Sequence, residues 1–205
     1  MSFISLNFVV LFACTFILYH TLPSRFRKAT LLTASCLFIG FYHLTFLITA
    51  LILTLTTFYL GKWIGQAKRE SGMKGIYFSG VCFLVVSWLA FRYADRLTDC
   101  HILFPLGISF YTFQAISYLT EIYWQEEEPE KSLPDFMIYM LFFMKFLSGP
   151  IERAGDMLPQ LKSCKATDYA SMVYGMRLIV VGLIKKLILA DSIAPYIDGV
   201  FGSVY

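Results

Sequence analysis

Residues 104–123 read FPLGISFYTFQAISYLTEIY, a segment that is apolar enough for a lipid bilayer but carries many hydrogen-bonding groups. Two Ser, two Thr, three Tyr, one Gln and one Glu are spread along it. In a helix that starts at Pro105, which suits a first helical turn, Ser109, Thr112 and Thr120 lie near one face. Because polar groups are costly in hydrocarbon, this face is predicted to turn toward protein or water.

Two roles fit such a polar face. Hydrogen bonding between helices is the simpler role, usually worth about 1 kcal/mol or less per pair, and this helix taken alone favours it. The other role is the wall of a hydrophilic tunnel. If a tunnel is present, we expect Ser109, Tyr111 and Gln114 to line it.

The composition of the whole chain indicates that lipid is its solvent. Of the 205 residues, 58% are hydrophobic and 15% are charged, and the mean hydropathy is +0.65. Soluble domains carry about a quarter charged residues, and a small domain always leaves much of its surface in water. The net charge of +3 gives no indication of nucleic-acid binding in a chain of this kind.

Long apolar stretches predict an all-α, polytopic integral membrane protein with about six transmembrane or re-entrant helices. The second stretch is too long for one span, so we expect it to break near residues 40–45 into a short helix and a longer one, both of them short for a span. The Lys- and Gly-rich segment 61–75 predicts a loop, and segment 152–169 predicts irregular structure. The apolar stretches are residues 3–20, 29–64, 76–93, 102–123, 135–151 and 170–190.

Two cationic clusters orient these spans. Cytoplasmic loops carry an excess of Lys and Arg, so both clusters are predicted to face the cytoplasm, with an even number of crossings between them. The clusters are Arg25, Arg27 and Lys28, and Lys62, Lys68 and Lys74.

A second polar group of residues lies in FFMKFLSGPIERAGDMLPQL, residues 142–161. Lys145, Glu152 and Arg153 flank an apolar stretch that is too short to cross a bilayer with ease, and Gly149–Pro150 breaks the helix. Non-helical backbone at membrane depth is tolerated only inside protein or beside a cavity. We therefore predict a re-entrant element facing a watery funnel, with the charged pair as a mere interfacial marker as the alternative.

A third segment, GLIKKLILAD at residues 182–191, places Lys185 and Lys186 among aliphatic side chains. Their ammonium groups can reach the cytoplasmic headgroups, which explains them adequately. Binding the phosphates of an anionic thioester donor is the alternative. No metal site is predicted, because the five Cys and three His are scattered and lack the usual ligand spacings.

These three segments, in this order and spacing, resemble successive signatures of the membrane-bound O-acyltransferase family, in particular its bacterial alginate O-acetyltransferase branch. The resemblance covers essentially the whole chain. It departs from the pattern of that branch at two places. Tyr123–Trp124 stands where a Tyr-Arg pair is common, and Met144–Lys145 stands where a Pro-Gln pair is common.

The resemblance implies acyl transfer from a thioester donor, acetyl-CoA or an acyl carrier, to hydroxyl groups of an extracytoplasmic polysaccharide such as alginate. It also implies a bacterial inner-membrane location and partner proteins of an acetylation complex. The family's general base is an intramembrane His on a later helix, which His20, His43 and His101 do not match. We therefore expect residues 1–205 to be the amino-terminal part of one membrane domain, with no catalytic residue and no activity alone.

The candidate site residues are supporting ones. Ser109, Tyr111 and Gln114 would line the tunnel, Glu152 and Arg153 would orient the re-entrant element, and Lys185 and Lys186 would attract the donor. Two other classes stay open: a fragment of a channel or transporter, and a non-catalytic scaffold of an acetylation complex. The absence of a convincing repeat between residues 1–100 and 101–205 counts against a transporter.

Overall fold

The computed structural model describes residues 6–67, 69–97, 107–146, 149, 152–163 and 168–202. All regular structure in this part of the chain is helical, as predicted. The chain divides into two compact units, Met1–Cys164 and Lys165–Tyr205. The described α-helices are α1 (Leu6–Thr21), α2 (Ser24–Tyr42), α3 (Leu44–Gln66), α4 (Glu70–Leu97), α5 (Ile108–Tyr123), α6 (Leu133–Leu141), α7 (Ala154–Ser163), α8 (Tyr169–Ile184) and α9 (Asp191–Gly202).

The break expected near residues 40–45 is confirmed. α2 ends at Tyr42, and His43 adopts an extended backbone, with φ −167° and ψ 136°, before α3 begins at Leu44. The second helix is the longer one, as expected, with 23 residues in α3 and 19 in α2. The expectation that both arms are short for a span is wrong for α3. At about 1.5 Å per residue it is about 35 Å long, which exceeds the ~30 Å hydrocarbon core of a bilayer.

The loop predicted at residues 61–75 is also wrong, because α3 continues to Gln66 and α4 begins at Glu70. Gly61 serves close packing rather than a turn: a Cβ there would lie 2.7 Å from Cε1 of Tyr118. The first turn of α4 is supported by an ion pair of 2.6 Å between Glu70 and Lys74, a spacing that places both side chains on one helix face.

α5 is the central helix of the first unit and packs against α3, α4 and α6. Tyr118 on α5 and Phe136 on α6 are both fully buried, and their ring centroids are 4.6 Å apart. Phe58 on α3 adds a third ring, 5.5 Å from that of Phe136. The predicted start of this helix at Pro105 lies outside the described residues, and α5 begins at Ile108.

Segment 152–169, predicted as irregular, contains the ten-residue helix α7. Pro159 is the sixth residue of this helix. The sequence prediction failed here because the residues that stabilise the start of α7 belong to another helix, as described below.

Large apolar side chains lie exposed on both units. In the second unit no residue of α8 is buried, and Leu178, Ile179 and Val181 are each about half exposed. Within the described residues, α3 and the Glu70–Tyr93 part of α4 are long and apolar enough to cross a membrane. These features suggest membrane association, and the expected number of about six spans stays a prediction.

Candidate functional site

The chain after α5 turns back and runs antiparallel along it. The side-chain amide of Gln114 donates a hydrogen bond of 2.9 Å to the backbone carbonyl of Tyr139 on α6. Further along, the rings of Tyr111 and Phe146 stack with centroids 5.4 Å apart. Gly107, just before α5, approaches the backbone of Phe146 closely: a Cβ at Gly107 would lie 2.4 Å from the Phe146 carbonyl oxygen. Its φ is +74°. Gly is the residue that adopts this left-handed conformation without strain.

The same segment then returns to where it began. The Tyr139 hydroxyl donates to the carbonyl of Glu152 at 3.0 Å. At the end of α7, Lys162 forms an ion pair of 2.6 Å with Glu130, a buried residue that precedes α6. Residues 130–162, here called the hairpin, therefore leave and return at the same end of α5. This is the shape expected of a re-entrant element, and its depth in a membrane stays a prediction.

Glu121 links the start of α7, where the hairpin returns, to α5. It is 5% exposed, and its carboxyl group accepts hydrogen bonds from the Ser117 hydroxyl at 3.1 Å and from the Ala154 backbone N–H at 3.3 Å. Ala154 is the first residue of α7, whose first N–H groups have no partner within the helix. Glu121 thus caps a helix 33 residues away in sequence. This role was not predicted from the sequence, because no local sequence pattern indicates a contact between residues so far apart.

A lysine is buried at the centre of the hairpin. Lys145 is 7% exposed, and its ammonium group lies 3.5 Å from the carboxylate of Glu152 and 3.1 Å from the sulfur of Met157. It also lies 4.5 Å from the ring centroid of Tyr139, a cation–π contact. The structure thus brings together Lys145 and Glu152, both noted in the sequence, and gives Glu152 a partner inside the hairpin.

Two hydroxyl groups on α5 stand out because they are buried without a described partner. These are Oη of Tyr111 and Oγ1 of Thr112. Helical threonines elsewhere satisfy their hydroxyls within their own helix: Thr54 and Thr57 each donate at 2.7 Å to the carbonyl four residues earlier. Burying an unpaired hydroxyl costs about 1–3 kcal/mol. The pair therefore favours a hydrogen-bonding partner, such as water, that the described residues do not supply.

The other predicted tunnel residues on α5 are satisfied by protein groups. Ser109 is half-buried and accepts a hydrogen bond of 3.0 Å from Nε1 of Trp88 on α4. Gln114 is buried and bonded to Tyr139 as described. Hydrogen bonding between helices, the simpler role in the sequence analysis, accounts for both contacts. A tunnel-lining role for Ser109 and Gln114 stays a prediction.

Arg153 lies exposed at the start of α7 and lines a cleft of about 220 Å³. The cleft is otherwise mostly acidic, and Arg153 is its cation. The predicted orienting role of Arg153 stays a prediction. The acidic residues of the cleft are Glu121, Glu126, Glu127 and Asp156.

In the second unit, Lys185 and Lys186 open a π-helical segment, Lys185–Ala190. Both side chains are exposed, and Lys186 forms an ion pair with Asp191. No acidic partner is described for Lys185, whereas the charge of Lys186 is paired with that of Asp191. Single π-helical turns inside α-helices are often found at functional sites. Donor-phosphate binding by this pair stays a prediction.

Comparison with known proteins shows similarity to bacterial acetyltransferases. The probable alginate O-acetylase of Azotobacter vinelandii is 31% identical over 98% of this chain and 44% of its own length. The corresponding Pseudomonas aeruginosa protein is 30% identical over 98% and 42%. A peptidoglycan O-acetyltransferase of Helicobacter pylori is 24% identical over 84% and 40%. The chain thus spans less than half the length of these relatives. No family model and no solved structure matches the chain.

These similarities define a class first: acetyltransferases whose names specify a hydroxyl group of a polymer as the acceptor. Within that class, the chain is similar to the alginate O-acetylases over 98% of its length, which agrees with the branch that its three motifs resemble.

Proposed function

We propose that this chain forms part of a membrane O-acetyltransferase that transfers an acetyl group to hydroxyls of an extracytoplasmic polysaccharide such as alginate. The similarity to alginate O-acetylases over 98% of the chain carries this proposal. The relatives' names specify acetyl transfer, which is why we prefer it to a channel or a scaffold. A bacterial inner-membrane location and partners in an acetylation complex are parts of the same proposal.

The chemistry requires an alcohol oxygen to attack the thioester carbonyl of acetyl-CoA or an acyl carrier, with the thiol as leaving group. An alcohol is a weak nucleophile until a base removes its proton. Among the described residues we assign no such base, so we propose that this chain supplies positioning rather than proton transfer. Its contribution would then be to bind the acceptor and the donor.

We assign the acceptor side to Tyr111 and Thr112. Their hydroxyls are buried and lack a described partner, so a sugar hydroxyl or an ordered water can bond to them without displacing a protein group. The hairpin keeps them in place, since Phe146 stacks on Tyr111 and Gln114 bonds to the backbone beside it. We assign the donor side to Lys185, an exposed cation that suits a phosphate group.

The proposal is tested at the chromosomal locus of the bacterium that encodes the chain. Tyr111→Phe and Thr112→Val each remove one hydroxyl and keep the volume. We expect each to lower the acetyl-ester content of the secreted polysaccharide about tenfold, since one hydrogen bond is worth about 1–1.5 kcal/mol. Tyr59→Phe and Thr56→Val on α3 are matched controls; Tyr59 is exposed and Thr56 bonds within its own helix.

Membrane levels of each variant, measured by immunoblot, separate function from folding. The proposal requires the acetyl content to fall more than the protein level for Tyr111→Phe and Thr112→Val, and likewise for Gln114→Ala and Arg153→Ala. A disrupted gene that leaves the polysaccharide fully acetylated refutes the proposal. The purified 205-residue chain in liposomes is expected to show no turnover with acetyl-CoA and alginate; turnover would refute our inference that a general base lies elsewhere.

A further inference from the structure

α1 and α2 form an antiparallel pair with an open groove between them, of about 440 Å³. The groove is lined by apolar side chains of both helices, among them Leu11 and Leu18 on α1 and Phe26, Ala29 and Leu37 on α2. Leu18 and Phe26 lie near the turn that joins the helices, while Leu11 and Leu37 lie near the far end. The groove thus runs along the pair from its turn.

Two of the three threonines that line the groove, Thr15 and Thr30, form hydrogen bonds within their own helices. Thr15 donates a hydrogen bond of 2.7 Å to the carbonyl of Leu11, and Thr30 donates one of 3.0 Å to the carbonyl of Phe26. Both hydroxyls are bonded within their own helix, so the two threonines present their methyl groups to an occupant of the groove. An occupant needs no hydrogen-bonding groups here, and a hydrocarbon chain meets that requirement.

The length of the groove matches one leaflet of a bilayer. Phe26 and Leu37 are eleven positions apart on α2, which corresponds to about 16 Å at a rise of about 1.5 Å per residue. Half of a ~30 Å hydrocarbon core is about 15 Å. A single acyl chain that starts at the level of the α1–α2 turn can therefore follow the groove to the middle of the membrane.

A cation stands at the turn end of this groove. Arg25 is exposed, and its Cζ lies 4.7 Å from the ring centroid of Phe26, which lines the groove. Among the described residues no carboxylate pairs with Arg25. Lys28, one turn further along α2, differs because it forms an ion pair of 2.8 Å with the buried Asp135. Arg25 is thus available to bind an anion, and its planar guanidinium group suits a phosphate.

We propose that this groove binds one anionic phospholipid of the surrounding leaflet, with an acyl chain between α1 and α2 and the headgroup phosphate on Arg25. The combination of an apolar groove of leaflet length with a cation at its headgroup end selects a lipid over a protein helix or a second copy of the chain. The site is separate from the hairpin, and it does not depend on the proposed acetyl transfer.

The test is native mass spectrometry of the purified 205-residue chain with phosphatidylglycerol and with phosphatidylcholine of identical acyl chains. We expect one retained phosphatidylglycerol, bound about fivefold more tightly than phosphatidylcholine, as one interfacial arginine predicts. Ala29→Phe fills the groove and is expected to reduce retention of both lipids at least threefold. Arg25→Gln is expected to retain lipid but to lose the preference for phosphatidylglycerol.

Two matched controls accompany these variants. Ala90→Phe places the same ring on an exposed position of α4, and Arg69→Gln removes an exposed cation between α3 and α4; both are expected to behave as the unchanged chain. Equal binding of the two lipids by the unchanged chain, or equal effects of Arg25→Gln and Arg69→Gln, would overturn the proposal. If Ala29→Phe does not fold, the comparison of the two arginine variants, both at exposed positions, decides the question.

Discussion

Removing the carboxyl group of Glu121 should release the start of α7 from α5. In Glu121→Ala the backbone N–H of Ala154 loses its acceptor, which lies 3.3 Å away in the unchanged chain. Ser117 also loses its partner, but a helical Ser can turn its hydroxyl to a carbonyl of the preceding turn. The cost therefore falls on one buried N–H, at about 2 kcal/mol within the 1–3 kcal/mol range for an unsatisfied buried donor.

Amide hydrogen exchange at Ala154 measures this free-energy cost directly. Since 1.4 kcal/mol is tenfold, about 2 kcal/mol predicts that protection of the Ala154 amide falls about 30-fold in Glu121→Ala. Glu121→Gln keeps an oxygen acceptor at the same position, so we expect a loss of about twofold. Ser117→Ala leaves the bond to Ala154 in place and should have little effect there. Protection at Ala50, fully buried in α3, should not change in any variant.

Two outcomes contradict this reasoning. If Ala154 exchanges at the same rate in Glu121→Ala and in the unchanged chain, Glu121 does not cap α7. If protection falls equally at Ala154 and at Ala50, the substitution has loosened the whole first unit, and the hairpin is not a separate element held by this bond.

Two further predictions concern helix packing and a helix start. Gly61→Ala places a Cβ 2.7 Å from Cε1 of the fully buried Tyr118, so thermal unfolding should show a loss of about 1–3 kcal/mol; Gly72→Ala, with open space around it, should lose nothing, and equal effects would contradict the close approach. At the start of α8, hydrogen bonds from the Ser171 hydroxyl and amide lower the pKa of Asp168 below its usual 3.8. Because this pKa is depressed on folding, its stabilising contribution is present above about pH 4 and is lost as the pH falls through the lowered value. The protection factor of the Ser171 amide, its exchange rate relative to that of an unstructured peptide at the same pH, should therefore fall below pH ~4. A protection factor that does not change with pH would contradict the cap.

Much of the fold could be predicted from periodicity and composition, because a helix in lipid is specified by its own residues. The break at His43, the all-helical class and the polar face of α5 followed in this way. The failures have one cause. Gly61 was interpreted as a turn residue, and the start of α7 as irregular. In each case the residue that contacts the helix lies far along the chain, Tyr118 for Gly61 and Glu121 for the start of α7.

The candidate site likewise has features that could be predicted from the sequence and others that could not. The three motifs and the resemblance that they carry were readable in the sequence. The functional roles that the sequence analysis gave to Tyr111, Gln114, Glu152 and Arg153 stay predictions. That Tyr111 and Thr112 are buried without a described partner, while Ser109 and Gln114 are bonded to Trp88 and to the Tyr139 backbone, was not readable.

By itself the sequence determined the all-helical class, the apolar segments and the motifs that relate the chain to alginate O-acetylases, because these are properties of consecutive residues. Only the tertiary structure decided that residues 130–162 double back along α5, and which hydroxyls are left unsatisfied. Those outcomes depend on contacts such as Glu121 to Ala154, 33 positions apart, whose free energy exists only once the helices are packed.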